Sequence, residues 1–213
     1  MPFILILSLY GFSFSSRQLY PSLFPKLLSR ATVHESLTAQ DALNYLSTGL
    51  PSVILVTDPA LSFDEPENKA LLEAVVDWTK RGGTTIFMGF FAEAVELPQL
   101  ENLMKSSFSL HDWEVDEHTS HEATLRPNIQ TVRTQSLEQF YYCKALWLRN
   151  VPSEDSVYSR SGNLPGTTPT TCAAFATVGF GKLGYIGDTE FGEEPERIII
   201  AMCRLDIEED NMS

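Results

Sequence analysis

Residues 53–89 constrain the fold of this chain more than any other segment. They contain an apolar run at 53–57, a polar loop, an amphipathic segment at 68–81 and a second apolar run at 84–88. The amphipathic segment carries apolar residues at helical spacing and ends at two consecutive glycines. This pattern predicts a strand, a helix and a second strand, with the two strands parallel and joined by a right-handed crossover.

Other apolar runs extend this alternation along the chain. We predict further strands at residues 3–9, 31–35, 145–148, 173–178 and 182–186, and further helices at 16–29, 38–46, 99–106 and 195–204. Strands without polar alternation need cover on both faces. The sequence therefore predicts a single-domain α/β fold over residues 1–205, a three-layer sandwich with a mainly parallel central sheet. An acidic tail follows at 206–213.

The charge and the cysteines bear on partners and location. The 28 acidic residues outnumber the 15 basic ones, which gives a net charge of −13. Such a surface repels phosphate backbones and anionic headgroups, so we expect no nucleic-acid or membrane partner. The apolar run at 3–9 is too short to span a bilayer and lacks the flanks of a signal peptide. Three widely spaced cysteines fit a reducing, cytoplasmic location.

Several segments together resemble a known superfamily. These are ILILSLYG, VILVTDPAL, WTKRGG, TIFMGFF and GKLGYIGDTEFGEEPERIIIAMC. In this order they resemble the class I glutamine amidotransferase-like superfamily of flavodoxin-like domains, and more narrowly a group of fungal proteins of that fold. The resemblance implies a flavodoxin-like fold and a fungal source, and it supplies no reaction.

The chain departs from that superfamily at the residues that carry its chemistry. The family places a cysteine at the sharp turn after the central strand, where this chain has Met88-Gly89-Phe90-Phe91. The family also has a histidine–glutamate pair near the C-terminus, whereas all four histidines here precede residue 122. We therefore predict that the chain is not a glutamine amidotransferase.

Polar and aromatic residues follow four of the predicted strands. Because parallel strands end at one edge of a sheet, we expect these segments to converge there. A partly desolvated carboxylate can exchange protons near neutral pH, so Asp58 and Asp188 are the candidate catalytic acid and base. The alternative is that both carboxylates cap turns or helix N-termini. The candidate ligand contacts at this edge are Ser8, Tyr10, Gly89, Phe90, Phe91, Thr189 and Glu190.

Two other motifs favour structural interpretations. Residues 179–184 match G-x-G-x-x-G but lie between two predicted strands, so we predict a tight hairpin and no nucleotide site. Residues 111–122 are rich in metal-capable side chains, including His111, His118 and His121. Their spacing fits no established ligand pattern, so we predict a solvated loop over residues 111–122, which overlaps the polar segment 116–128. We expect neither a bound metal nor a cofactor.

Three functions remain open on the sequence. The first is a cofactor-independent enzyme, such as an isomerase, cyclase or lyase, that acts on a small apolar metabolite in a strand-end pocket. The second is a non-catalytic module that binds a small molecule or a protein. The third and weakest is a hydrolase that uses Cys172 or a serine, with an early histidine as base. The sequence also leaves a homodimer open.

Overall fold

The computed structural model describes residues 1–11, 15–127, 129–162 and 169–206. The strands are β1 (Phe3–Leu7), β2 (Thr32–Ser36), β3 (Val53–Val56), β4 (Thr84–Met88), β5 (Glu114–Leu125), β6 (Phe140–Arg149), β7 (Ser156–Arg160), β8 (Thr171–Val178) and β9 (Gly181–Ile186). The helices are α1 (Ser16–Leu19), α2 (Leu23–Leu28), α3 (Ala39–Thr48), α4 (Pro66–Lys80), α5 (Phe90–Ala94), α6 (Leu97–Asn102) and α7 (Glu193–Met202).

One half of the sheet is parallel. Its strands lie in the order β2-β1-β3-β4-β9, and each neighbouring pair is parallel. The β3–α4–β4 unit is present as predicted from residues 53–89, because its apolar strands are buried on both faces. The strand order reverses direction between β1 and β3, since β2 lies on one side of β1 and the later strands lie on the other.

The other half of the sheet is antiparallel and closes on itself. Strand β8 pairs with β9 through the tight turn at Gly179, whose φ of +62° suits glycine. This confirms the hairpin predicted for the G-x-G-x-x-G match. Strands β5, β6, β8 and β7 then pair in a cycle, each antiparallel to the next, and form a closed four-stranded ring.

This ring overturns the predicted fold class. Five of the nine strand pairings are antiparallel and four are parallel, so the sheet is not mainly parallel. The molecule is not the three-layer flavodoxin-like sandwich that the sequence predicted. The prediction failed because only two strands, at 145–148 and 173–178, were expected between β4 and the last strand, whereas four strands, β5 to β8, form the ring there.

The polar segment after Trp113 accounts for much of this error. It was predicted as a loop, but Glu114–Leu125 forms the long strand β5, paired along most of its length with β6. One face of β5 is largely exposed and carries polar residues, so the segment lacks a continuous apolar run. Its extended conformation comes from pairing with β6 rather than from its own hydrophobicity.

Two hydrophobic cores hold the sheet. One lies under α1, α2 and α7 and continues into the ring, where it includes Trp147 and Tyr158. The other lies under α3, α4 and α5. We expected the apolar residues of β3, α4 and β4 to be buried. Ile54, Val56, Leu71, Val75, Ile86 and Phe87 are fully buried, whereas Trp78 is only half-buried. The predicted acidic tail lies outside the described residues apart from Asp206.

Candidate functional site

The carboxyl ends of the parallel strands meet at one edge, as predicted. Ser8 follows β1 and Thr57 follows β3, and their hydroxyl oxygens lie 3.1 Å apart. Asp58, Gly89 and Asp188 follow β3, β4 and β9 at the same edge. The predicted segments therefore reach one edge, but their side chains take different roles there.

Asp58 holds two loops together through the backbone. Its carboxylate accepts hydrogen bonds from the amide of Tyr10 at 3.1 Å and from the amide of Ala60 at 3.0 Å. The second bond caps the short 3-10 helix Pro59–Ser62. Burial raises the pKa of Asp58, and the backbone hydrogen bonds act in the opposite direction. This geometry matches the capping alternative.

Asp188 also accepts a backbone hydrogen bond. The amide of Glu190 donates to the Asp188 carboxylate at 2.8 Å. The backbone of Asp188 forms an isolated antiparallel β-bridge with Ala145 of β6. Burial raises the pKa of Asp188 to about 6, while the hydrogen bonds from Glu190 and Tyr141 lower it. Asp188 thus joins the parallel half of the sheet to the ring, and burial brings its pKa close to neutral pH.

The predicted aromatic ligand contacts are only partly accessible. Phe91 is fully buried and packs on Phe87 with ring centroids 4.6 Å apart, so it cannot contact a ligand. Tyr10 lies nearer the surface, with its ring 5.9 Å from that of Phe90 and 5.8 Å from that of Phe63. The expectation that Phe91 lines a pocket is wrong because the α5 turn directs it into the core.

Thr189 and Glu190 do not form a binding surface together. Thr189 is buried and both its amide and its hydroxyl donate to the carbonyl of Lys144, at 2.9 and 3.1 Å. The side chain of Glu190 is exposed, while its amide donates a hydrogen bond to the Asp188 carboxylate. Thr189 therefore fixes β9 to β6, and among this pair only Glu190 remains accessible.

The turn after β4 has the geometry of a nucleophile elbow, but a tyrosine fills it. Gly89 has φ +51° and ψ −105° between a strand and a helix, the strained strand–turn–helix arrangement that exposes a nucleophile in other folds. A Cβ atom on Gly89 would lie 2.4 Å from the Tyr20 hydroxyl and 2.8 Å from the Phe191 ring. No larger side chain fits there without displacing these rings.

Tyr20 also occupies the hydrogen-bonding position beside this turn. Its hydroxyl accepts from the amide of Phe90 at 2.9 Å and donates to the carbonyl of Met88 at 3.3 Å. In an elbow, the amide after the nucleophile stabilises the oxyanion. Here that amide is already paired with Tyr20, a residue that sequence reasoning missed because it lay in a predicted leucine-rich helix.

A second group that the sequence analysis missed surrounds Glu35. Its carboxylate accepts from the hydroxyl of Ser8 at 2.9 Å, and from the amide and hydroxyl of Ser16 at 2.7 Å each. Arg17 lies 3.5 Å from the other carboxylate oxygen. The predicted ligand contact Ser8 is therefore engaged in a buried network that ties β1 to β2 and to α1. The predicted strand 31–35 ended at Glu35, and no local pattern indicated this role.

The cysteine of the hydrolase hypothesis lies deep in the ring. Cys172 is fully buried, and its sulfur lies 3.9 Å from the hydroxyl of Tyr141. Burial raises the pKa of the Cys172 thiol well above its usual value. A thiol in this environment is a poor nucleophile, so the geometry does not favour a cysteine hydrolase.

The histidines do not form a ligand set. His118 and His121 lie on β5, three residues apart, so their side chains point to opposite faces of the sheet. Within the described ranges, no group of three or more histidine, cysteine, aspartate or glutamate side chains is arranged to hold a metal ion. Among the helices that the structure describes, none combines the length and the apolar character needed to cross a membrane.

The two larger cavities formed by the described residues lie away from the strand ends. Two surface cavities of about 430 and 420 Å³ lie elsewhere, one lined by residues 129–135 and one along α4. The space beside Ser16, Tyr20 and Thr57 measures only about 10 Å³, roughly enough for a single water molecule. This space is therefore too small for a metabolite.

The fold resembles solved structures that share little sequence with this chain. A cytoplasmic protein from Salmonella typhimurium LT2 is 11% identical with a TM-score of 0.65, over 96% of this chain and 98% of that one. The mmIFT52 N-terminal domain is 16% identical with a TM-score of 0.63, over 96% and 99%. A ThuA-like protein from Bacteroides uniformis is 10% identical with a TM-score of 0.60, over 99% and 93%. At these identities the likeness concerns the fold alone.

These findings correct the resemblance stated from the sequence. Neither the protein-family models nor the curated proteins gave a match to this chain. The similar structures include a ThuA-like protein, and the sheet contains a closed antiparallel ring. Assignment to the flavodoxin-like, glutamine amidotransferase-like superfamily was therefore wrong, because the quoted motifs report only on the parallel half. The comparisons give no support to a fungal source.

Proposed function

We propose that this chain is a non-catalytic interaction module. The observation that carries the proposal is the occupied turn after β4, where Tyr20 takes the space above Gly89 and pairs with the amide of Phe90. A tyrosine in this place stabilises the turn and leaves no room beside Gly89 for a substrate group. In this proposal the chain functions by binding a partner at its surface.

The carboxylates support the same proposal. Asp58 and Asp188 both accept backbone amides, which is the role of a turn cap. Each is almost fully buried, so a substrate would have to displace these hydrogen bonds to reach the oxygen atoms. Their positions are explained by the joining of loops and strands.

Untargeted mass spectrometry of metabolite mixtures tests the proposal. Purified wild-type protein and an Asp58→Asn, Asp188→Asn double variant are incubated with the same extract. We expect identical metabolite profiles, with both proteins folded by circular dichroism. A compound that the wild type consumes and the double variant leaves intact would overturn the proposal.

One observation favours a second candidate, the cofactor-independent enzyme. The pKa of Asp188 is raised to about 6, which suits a general acid or base near neutral pH. In that case the substrate would be a small apolar metabolite and the reaction an isomerisation, cyclisation or elimination. The same profiling experiment decides it: an Asp188→Asn variant alone should then lose about a hundredfold or more in rate.

The proposal includes a reducing, cytoplasmic setting. Cys143, Cys172 and Cys203 are all free and buried. The net charge of −13 disfavours nucleic acid and anionic membranes as partners. A protein partner therefore fits the chain better than either of these.

A further inference from the structure

Two large aromatic side chains stand exposed beside each other on strand β6. Phe140 is 61% exposed and Tyr142 is 68% exposed. They are two residues apart on one strand, so they lie on the same face about 7 Å apart. Single exposed apolar residues are ordinary on a protein surface, but adjacent aromatic residues are enriched where proteins bind each other.

The strand that carries them is firmly held. At the two aromatic residues β6 pairs with β5, and its pairing with β8 lies farther along the strand, at Leu148. Cys143 and Ala145, which alternate with the exposed residues, are fully buried on the opposite face. The two rings are therefore presented on a rigid surface, which reduces the entropy that binding must overcome.

The neighbouring charges are acidic or already paired. Glu122 lies directly opposite Tyr142 on β5, is exposed, and has no ion pair among the residues that the structure describes. Lys144, the next residue on this face of β6, lies 3.5 Å from Glu93. We define Phe140, Tyr142 and Glu122 as the aromatic–acidic patch.

We propose that the aromatic–acidic patch binds an arginine-containing basic segment of a partner protein, a proposal that rests on the interaction-module function above. A guanidinium group stacks on aromatic faces and forms paired hydrogen bonds with a carboxylate, so it matches both parts of the patch. The net charge of −13 attracts a basic partner over a longer range.

The charge of Glu122 and the net negative charge of the chain oppose binding of a second copy at the aromatic–acidic patch. A two-fold contact through this patch would bring Glu122 of both copies into one small interface. Each copy would also carry a net charge of −13. Like charges brought together at an interface oppose association.

Peptide binding tests this proposal. Fluorescein-labelled hexa-arginine is titrated into the full chain at low salt and followed by anisotropy, with hexa-lysine and hexa-glutamate as comparison peptides. We expect hexa-arginine to bind most tightly. A Phe140→Ser, Tyr142→Ser double variant should weaken its binding about tenfold or more, because two stacking contacts are lost.

Matched variants separate the patch from general acidity. Phe180→Ser removes an aromatic side chain that is 93% exposed in the β8–β9 turn and should leave binding unchanged. Glu122→Gln should weaken binding about threefold, as expected for an exposed ion pair. Equal binding to wild type and to the double variant would overturn the proposal, as would an equal loss in Phe180→Ser.

Sedimentation velocity tests whether a second copy of the chain occupies the patch. We expect a monomer at all concentrations tested, in wild type and in the double variant. A wild-type dimer that dissociates in the double variant would overturn the proposal in favour of a second copy. If the peptide does not bind at the patch, only the arginine-binding proposal fails. Turnover of a metabolite that depends on Asp58 or Asp188 would instead overturn the interaction-module function, whatever the peptide result.

Discussion

The position of Asp188 makes ionisation of its carboxyl group unfavourable in the folded chain. It is 2% exposed, and it lies where β9 meets β6, with the amide of Glu190 and the Tyr141 side chain as partners. One backbone amide and one phenol replace only part of the hydration that an ionised carboxylate has in water. The ionised form is therefore disfavoured in the folded chain.

This imbalance predicts how stability depends on pH. The pKa of Asp188 is about 6 in the folded chain, against an ordinary value of 3.8, so the folded chain binds the proton more tightly. The free energy of unfolding should rise as the pH falls from above 6 to about 4. The pKa difference corresponds to at most about 3 kcal/mol. Urea denaturation at a series of pH values measures this change.

Asp188→Asn identifies the group responsible. The amide side chain still accepts from Glu190 but cannot ionise, so the variant should be more stable than wild type at pH 7.5. Its pH dependence between 4 and 7 should be smaller than that of wild type. Asp64→Asn, at a fully exposed position, is the control and should behave like wild type. Parallel pH profiles for wild type and Asp188→Asn would assign the effect to other groups, Asp58 among them.

At the scale of elements, the β4–α5 turn depends on an element distant in sequence. Tyr20 follows α1 and Gly89 precedes α5, yet the tyrosine hydroxyl pairs with both sides of the turn. The positive φ of Gly89 and the closeness of Tyr20 act together to exclude a side chain. The turn and the tyrosine should therefore respond to substitution as a pair.

A double-mutant cycle measures this coupling. Gly89→Ala should cost about 3 kcal/mol, from backbone strain and from contact with Tyr20. Tyr20→Phe removes the hydroxyl and should cost about 1 kcal/mol. The double variant should cost less than the sum of the two, because the contact at 2.4 Å disappears. Thermal and urea unfolding give the three differences.

Gly162→Ala is the control for strain alone. Gly162 has φ +70°, and apart from its chain neighbours no atom of the described residues lies within 4 Å of a Cβ atom added there, so its substitution should cost only about 1 kcal/mol. If Gly89→Ala costs no more than this control, the turn has room for a side chain. That result would remove the main support for a filled elbow.

The elements that the sequence predicted well are those whose own residues determine them. The apolar runs at 53–57 and 84–88 and the helix between them have local signals strong enough to specify both conformation and parallel pairing. β5 and β6 differ, because β5 is polar on one face and the prediction for β6 covered only residues 145–148. Their conformation depends on each other, and single-segment patterns do not contain that pairing.

The candidate site shows the same division. The sequence correctly predicted that Asp58, Gly89 and Asp188 lie at one edge of the sheet. Each follows a parallel strand, and strand direction alone determines this placement. The roles of their side chains depended on Tyr20, Tyr141 and loop amides that approach from elsewhere. Phe91 was misplaced because the direction of a side chain in a short helix depends on the turn that precedes it.

At the scale of the whole molecule, one core spans both halves of the sheet. Cys143 and Cys172 lie in the ring and Cys203 follows α7 beside the parallel half, and all three belong to the same hydrophobic core. A shared core couples the stability of the two halves. The ring should therefore not open independently of the rest.

Cysteine labelling tests this coupling. Under native conditions all three thiols should react slowly with iodoacetamide, because they are 0–5% exposed. In rising urea they should become reactive over one common transition, read for each cysteine by peptide mass spectrometry. If Cys143 and Cys172 react at lower urea than Cys203, the ring is a separate folding unit.

The position of β9 has a consequence for the newly made chain. β4 and β9 are neighbours in the sheet, yet their paired residues Thr84 and Lys182 lie almost a hundred positions apart. During synthesis the ribosome must therefore release the whole ring segment before β4 acquires its second neighbour. Until then β4 is an open edge with unpaired backbone groups, the kind of surface that chaperones protect and that aggregates form upon. Contacts of such long sequence separation also make folding slow.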